Sequence, residues 1–283
     1  MGRREINAEV FRDTADYINR SKKLLAAIEK TRNSQKLILE NEKISDRGTD
    51  HSENARIIVS GKRTLEAAGK YENKKVCILN FASATNPGGG VVHGSAAQEE
   101  SLCRCSTLYF CLNTSEMMQG FYLPHRKADN PLYNNDLIYS PDVIVMKTDT
   151  SEPAWMEEND WYAVNVITCA APNLRERPSN GMNPNAGSKA VHISRQDLHT
   201  LLETRIRKIF QVAAMEGNEV LILGAFGCGA FRNPPDIVAD VFRVVTLEYC
   251  KNFETIEYAV FHTDREKDNY RAFQMAFREE RIS

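Results

Sequence analysis

Three consecutive glycines, Gly88-Gly89-Gly90, stand seven residues ahead of Gln98-Glu99-Glu100. Together they place an anion-cradling stretch of backbone next to a pair of carboxyl groups. Glycine costs roughly 0.5–1 kcal/mol relative to alanine inside a regular element, so a stable domain keeps three in a row where φ is positive or a ligand must come close. Adjacent carboxyl groups in a partly dry site hold a proton more tightly than either would in water, because burial and like charge both disfavour the anion. An acid of that kind can protonate a leaving group near neutral pH. Without the glycines, the same two glutamates would read as ordinary first-turn helix acids, favoured there by the dipole.

The elements that position these residues are legible nearby. Val76-Cys77-Ile78-Leu79-Asn80-Phe81 is an apolar run that predicts a buried strand, and residues 82–87 lead from it into the glycines. Residues 96–112 are helix-like, with both glutamates in the first turns and facing the loop. The chemistry then lies at the carboxyl end of a strand, where open α/β sheets bind ligands. A second constellation, Gly224-Ala225-Phe226-Gly227-Cys228-Gly229-Ala230-Phe231, follows the apolar run Val220-Leu221-Ile222-Leu223. Amides in such a loop can hold a pyrophosphate without lysine. One glycine pair after a strand is also a common bare turn; two glycine loops, each after a buried strand, point to a diphosphate site.

Elsewhere the first fifty residues are helical in pattern. Asn7 or Asp13 are candidate caps, and Ile18, Leu24, Leu25 and Ile28 recur at near-helical spacing. Residues 48–52 form a turn-rich break, 55–60 a strand and 64–71 a short helix. Residues 113–153, punctuated by Pro124, Pro131 and Pro141, predict a surface connection with a single strand at 142–147. A strand at 161–170, a polar loop over the surface or pocket at 174–189, and a long amphipathic helix at 194–216 follow. A strand at 219–224, a helix at 236–249, a strand at 256–261 and a charged terminal helix complete the order. The alternation predicts an α/β fold, divided into an N-terminal helical extension over 1–50 and a core over 51–283.

Composition bounds the function. The chain has 283 residues, 42% of them hydrophobic, enough for a sizeable core. With 36 basic and 38 acidic residues its net charge is −2, so broad nucleic-acid binding is not expected. The N-terminus is charged, with no apolar leader, and no run of 18 apolar residues occurs. Seven cysteines, an odd number scattered through apolar runs, read as buried free thiols in a reducing cytoplasm. Cys103, Cys105 and Cys111, with His93 and His125 near in sequence, are ligand types that zinc accepts, but no paired CxxC spacing supports a metal and none is expected. The P-loop, the dinucleotide-binding GxGxxG and the GxSxG elbow are all missing. His125, His192, His199 and His262 read as packing or surface residues.

The triglycine, its spacer and Gln98-Glu99-Glu100, with Thr85-Asn86-Pro87 before and the 224–235 loop after, resemble the signature of microbial-type poly(ADP-ribose) glycohydrolases. The likeness spans about 55–261 and includes the head from Arg4 to Thr14. It implies a macrodomain-like mixed sheet sandwiched between helices, binding ADP-ribose in a cleft at its strand ends. It further implies Glu100 as catalytic acid/base and Glu99 as the neighbour that holds the ribose hydroxyls. Gly88, Gly89 and Gly90 would line the distal ribose and diphosphate, Asn86 would hydrogen-bond that ribose, and Gln98 would belong to the substrate-binding set. Gly227, Cys228, Gly229 and Ala230 would close over the diphosphate, with Phe231 packed on the distal ribose. Arg232 departs from the pattern, standing where related loops often carry glycine.

The substrate implied is poly(ADP-ribose) or an ADP-ribosylated macromolecule, with ADP-ribose as product and no cofactor or membrane partner. Cleaving a ribose–ribose acetal passes through an oxocarbenium-like state and needs a proton on the leaving oxygen. Two readings stand beside a chain-end glycohydrolase: a hydrolase of single ADP-ribosyl groups and a non-catalytic ADP-ribose reader, which the paired glutamates disfavour.

Overall fold

The computed structural model describes residues 2–44, 48, 50–181 and 183–278. In chain order its elements are α1 (Arg3–Arg20), α2 (Lys22–Ser34), β1 (Lys36–Ile38), β2 (Arg56–Ser60), α3 (Thr64–Ala68), β3 (Val76–Phe81), α4 (Gln98–Cys105), α5 (Leu108–Leu112), α6 (Ser115–Met117), α7 (Leu123–Ala128), β4 (Leu137–Val145), β5 (Tyr162–Cys169), α8 (Arg195–Met215), β6 (Val220–Leu223), α9 (Pro235–Tyr249), β7 (Thr255–Ala259) and α10 (Asp268–Ala276).

Seven strands form one mixed sheet in the order β1-β4-β5-β3-β6-β7-β2. The five strands from β5 to β2 run parallel, and β4 is antiparallel to both neighbours. Parallel strands covered on both faces read as continuous apolar runs, and the first five residues of β3 are accordingly buried. On one face the stripe Leu198, Leu202, Ile206, Ile209 and Ala213 of α8 packs with α9 and α10 over Cys77, Leu79 and Leu221. On the other, Leu102, Cys103, Cys105 and Leu108 pack with Leu65 and Phe121 over Ile78, Val166 and Ile222. The mixed sheet between helical layers is the expected architecture, and helices α1 and α2 fill most of the N-terminal segment.

Several local expectations change. Residues 1–50 also supply β1, an edge strand on β4. Asn7 and Asp13 are interior residues of α1; Gly2 caps that helix and the Ser21 hydroxyl caps α2. The predicted helix at 96–112 breaks after Cys105, because Ser106 bridges to Val145 and the Cys105 carbonyl accepts the amides of Met146 and Lys147. The predicted surface connection instead buries Met117, Phe121, Tyr122 and His125. Strand β4 begins at Leu137 and runs through Pro141, which a bulge between Ser140 and Val143 accommodates. The predicted turn at 48–52 falls partly outside the described residues.

The first turn of α1 docks on the loop behind the triglycine. Gly94 has φ +75°, its carbonyl accepts Asn7 Nδ2 at 3.2 Å, and a Cβ built on it would lie 1.9 Å from the Arg4 carbonyl oxygen. Gly94→Ala must therefore adopt a left-handed backbone, costing about 1 kcal/mol, and push α1 outward. A total loss of about 2 kcal/mol lowers Tm by roughly 4–8 °C in a protein of this size. Thermal denaturation checks this; an unchanged Tm would contradict the docking.

Candidate active site

Strand β6 pairs with β3 only as far as Ile78, which leaves the outer backbone of β3 without a ladder partner on that side. Gln98, the first residue of α4, takes the vacant place with its side-chain amide. Its Oε1 accepts the Phe81 amide at 2.9 Å, and its Nε2 donates to the Leu79 carbonyl at 2.8 Å and to Thr64 Oγ1 at 3.1 Å. The amide imitates a neighbouring strand and fixes the start of α4 against the end of β3. Glu99 and Glu100 are thereby held beside the loop that leaves β3.

Both carboxyl groups are buried, at 3% and 7% exposure. Glu99 Oε2 accepts the Ser83 amide at 2.7 Å and Oε1 accepts Asn80 Nδ2 at 3.2 Å, so each oxygen has a donor. Glu100 differs: Oε1 accepts the Gly90 amide at 2.9 Å, and Oε2 has no hydrogen-bond partner among the described residues. Burial raises the pKa of both groups. For Glu99, lifted well above the usual carboxylate range, the charge of Glu100 adds to burial against the donors from Ser83 and Asn80. For Glu100, the Gly90 amide and the Arg104 guanidinium oppose the rise without cancelling it.

The triglycine is shaped by this contact. Gly89 has φ +57°, and a Cβ there would lie 2.5 Å from Glu100 Oε1 and 3.1 Å from Glu99 Oε2. Any side chain would displace the acids. Gly88, at φ +65°, packs against Tyr109 and the thiol of Cys103. That thiol is spent on packing, and among the described residues no cluster of His, Cys, Asp and Glu could hold a metal ion.

The acids open into a cavity of about 640 Å³. Its wall includes the predicted Gly89, Gly90, Gln98, Glu99, Glu100, Gly227, Gly229, Ala230 and Phe231. Asn86, Gly88 and Cys228 are not part of that wall. The Asn86 amide is committed to Arg126 at 2.8 Å and Asn183 at 2.6 Å, and Cys228 Sγ lies 3.8 Å from the Phe226 carbonyl. A Cβ on Gly229 would meet nothing within 4 Å, so this loop presents bare backbone to the cavity. Arg232 is exposed with φ +59°, a left-handed conformation that glycine adopts without strain.

Other wall residues were not singled out as site residues from the sequence, although 174–189 was expected to lie over the surface or pocket. Arg3, Arg4 and Asn7 arrive from α1, while Arg63 and Phe261 arrive from the far end of the sheet. The Arg63 guanidinium lies 4.0 Å from the centroid of the Phe261 ring. Arg175, Asn180 and Asn183 come from the polar loop at 174–189, which folds over the cavity as a strap. Asn183 Oδ1 accepts from Thr85 Oγ1 at 2.5 Å and Asn86 Nδ2 at 2.6 Å, and the Leu174 amide donates to the Phe231 carbonyl at 2.9 Å. The strap thus ties both glycine loops together. Of the predicted packing histidines, His125 is buried with Nδ1 on the Phe121 carbonyl, and His199 lies between Glu203 and Asp240 at the surface.

Residues 8–148 match the family model described as microbial-type PARG, catalytic domain, where PARG denotes poly(ADP-ribose) glycohydrolase. No curated protein sequence matches the chain. Among solved structures, the poly(ADP-ribose) glycohydrolase of Thermomonospora curvata is 28% identical with a TM-score of 0.80, over 97% of this chain and 100% of that one. The same enzyme bound to the inhibitor ADP-HPD gives 29% identity and a TM-score of 0.79, over the same shares of the two chains. The Deinococcus radiodurans enzyme in complex with ADP-ribose is 30% identical, with a TM-score of 0.73 over 90% of this chain and 98% of that one. Motif, fold and full-length similarity agree: the chain belongs to the microbial-type poly(ADP-ribose) glycohydrolase family and is a glycohydrolase.

Proposed function

We propose that this chain hydrolyses the ribose–ribose O-glycosidic bond at the ends of poly(ADP-ribose), releasing ADP-ribose, with Glu100 as the general acid and then the general base. The observation that carries this reading is the asymmetry of the two buried acids. Glu99 has a donor on each oxygen, whereas Glu100, a residue of the cavity wall, has Oε1 on the Gly90 amide and a buried Oε2 with no hydrogen-bond partner among the described residues. The free oxygen is suited to carry a proton. Glu100 gives that proton to the bridging oxygen as the bond from the anomeric carbon of the distal ribose breaks. The resulting carboxylate then takes a proton from the water whose oxygen bonds to that carbon, restoring the acid. Consecutive residues cannot flank the bond from opposite faces, so one carboxyl group performs both transfers.

Glu99 accepts ribose hydroxyls and, with burial, keeps the pair protonated above the ordinary carboxylate range. The backbone around Gly229 and the side-chain-free surface of Gly89–Gly90, whose own N–H groups bond the Asn86 carbonyl and Glu100, serve the diphosphate and distal ribose, with Phe231 packed on that ribose. Asn86 acts indirectly, through Asn183 and the strap. Arg175, Asn180 and Asn183 of the strap narrow the cavity, which supports action at chain ends on the reading that the strap lies on the side from which an internal unit would continue. Five buried thiols among seven free cysteines support a reducing, cytoplasmic setting; among the described residues no helix is long and apolar enough to cross a membrane.

Glu100→Gln keeps the hydrogen bond to Gly90 and loses the proton. It is expected to retain ADP-ribose binding and lose about 10²- to 10⁴-fold in turnover; turnover like that of the wild type excludes Glu100 as the acid. Early in digestion, mass spectrometry should find single ADP-ribose and chains shortened one unit at a time, whereas oligomers cut from the interior would count against chain-end action. The raised pKa values also have a stability consequence. An acid whose folded pKa exceeds its unfolded value, about 4.3 for glutamate, contributes fully below that value and loses the contribution as pH rises toward the folded pKa. Glu100→Gln should therefore melt above the wild type at neutral pH, with the gap closing near pH 4. A gap independent of pH would contradict the burial of an ionisable pair.

A further inference from the structure

When Glu100 protonates the leaving oxygen, that oxygen stays with the remainder of the polymer, on the adenosine ribose of the next unit. The diphosphate of that unit hangs from the same ribose, so its negative charges lie one sugar away from the bond that breaks. The enzyme must accommodate this second diphosphate in addition to the one in the released unit. The backbone of the 224–231 loop is already assigned to the released unit.

Arg3 and Arg4 line the same cavity as Glu100 and have no part in the reading given above. Helix α1 abuts residues 91–94 through the Arg4 carbonyl and Asn7, and Gly94, Ser95, Ala96 and Ala97 continue the cavity wall directly to Gln98, Glu99 and Glu100. Arg3 Nη1 donates to the neutral Ser151 carbonyl at 3.0 Å, which leaves its charge uncompensated by that contact. Asp149, the remaining acid in the wall, is engaged by Ser101 Oγ at 2.9 Å and the Leu65 amide at 3.2 Å. A pair of guanidinium groups matches a diphosphate in charge and in donor geometry.

Resting on the polymer-hydrolysing reading, we propose that Arg3 and Arg4 form a second subsite, which holds the diphosphate of the ADP-ribose unit on the leaving side of the scissile bond. The subsite makes the enzyme prefer a polymer over an isolated terminal unit. It also pulls the leaving oxygen toward Glu100, because the diphosphate and that oxygen share one ribose.

The test compares the wild type with the Arg3→Ala/Arg4→Ala and Arg3→Lys/Arg4→Lys double variants. It reads kcat/KM on purified poly(ADP-ribose) at low and moderate salt, Kd for free ADP-ribose by calorimetry, and Tm. The alanine pair is expected to lose about tenfold or more in kcat/KM on polymer, as charge-assisted contacts to phosphate do, and to flatten its salt dependence. Affinity for ADP-ribose should stay at the wild-type level. The lysine pair, which keeps both charges, should recover much of the loss and so separates lost charge from lost structure. Unchanged kcat/KM on polymer in the alanine pair overturns the subsite, as does an equal loss of ADP-ribose affinity, which would assign the arginines to the released unit. A wild type that releases nothing from polymer overturns the parent reading and the subsite with it; a wild type that does release ADP-ribose leaves the variants to decide the subsite alone.

Discussion

Two carboxyl groups buried side by side at the start of a short helix are the constraint around which the site is built. Isolated charges removed from water are costly, and neighbours of like sign more so, so such groups persist only with donors or a shared proton. Here most donors are backbone. The Ser83 and Gly90 amides reach the acids because Gly89 has no side chain and turns through positive φ. Gln98 fixes the helix that carries them by completing the edge of β3 where β6 stops pairing. The glycines and the glutamates are one device: the loop cannot bear side chains because the acids fill that space.

The rest of the architecture holds this device still. Helix α1 presses on Gly94, Thr14 Oγ1 donates to the Arg104 carbonyl at 2.7 Å, and Arg104 Nη1 donates to the Ser95 carbonyl at 2.6 Å. Loop 91–97 is thus gripped from both sides. On the far side, the fully buried guanidinium of Arg205 bonds the Ala170, Leu132 and Tyr133 carbonyls and Asn135 Oδ1. These bonds anchor the end of β5 next to the strap. A net charge of −2 conceals the placement of Arg3, Arg4, Arg63 and Arg175 around one cavity, because composition sums charges that the fold separates.

What could be read from the sequence was local and strongly patterned. Strand β3 was legible as six consecutive residues, and α8 was legible from its stripe and from Gly217 at its end. The acids and both glycine loops declared themselves by spacing. What was missed depends on contacts distant in sequence. Pro141 suggested a break in β4, and only pairing with β5 makes it a bulge. Phe121, Tyr122 and His125 lie among prolines and polar residues that resemble a surface loop, and they are buried by packing the sequence does not display. Asn183 gives no local sign that it reaches Thr85 and Asn86 across about a hundred residues. Arg3 and Arg4 belong to a charged N-terminal segment, and only the docking of α1 brings them to the cavity.

Catalysis by this site depends on the buried pair retaining a proton where ordinary carboxyl groups have lost theirs. That retention is tested most directly by following the side-chain carboxyl carbons of Glu99 and Glu100 by carbon-13 NMR across pH, with Glu99→Gln and Glu100→Gln for assignment. Burial of both groups and the charge of Glu100 beside Glu99 predict that the pair releases its last proton above the ordinary glutamate value of about 4.3. If both groups ionise near that value in the folded wild type, the pair is an ordinary set of helix-start acids and the catalytic account built on it is wrong.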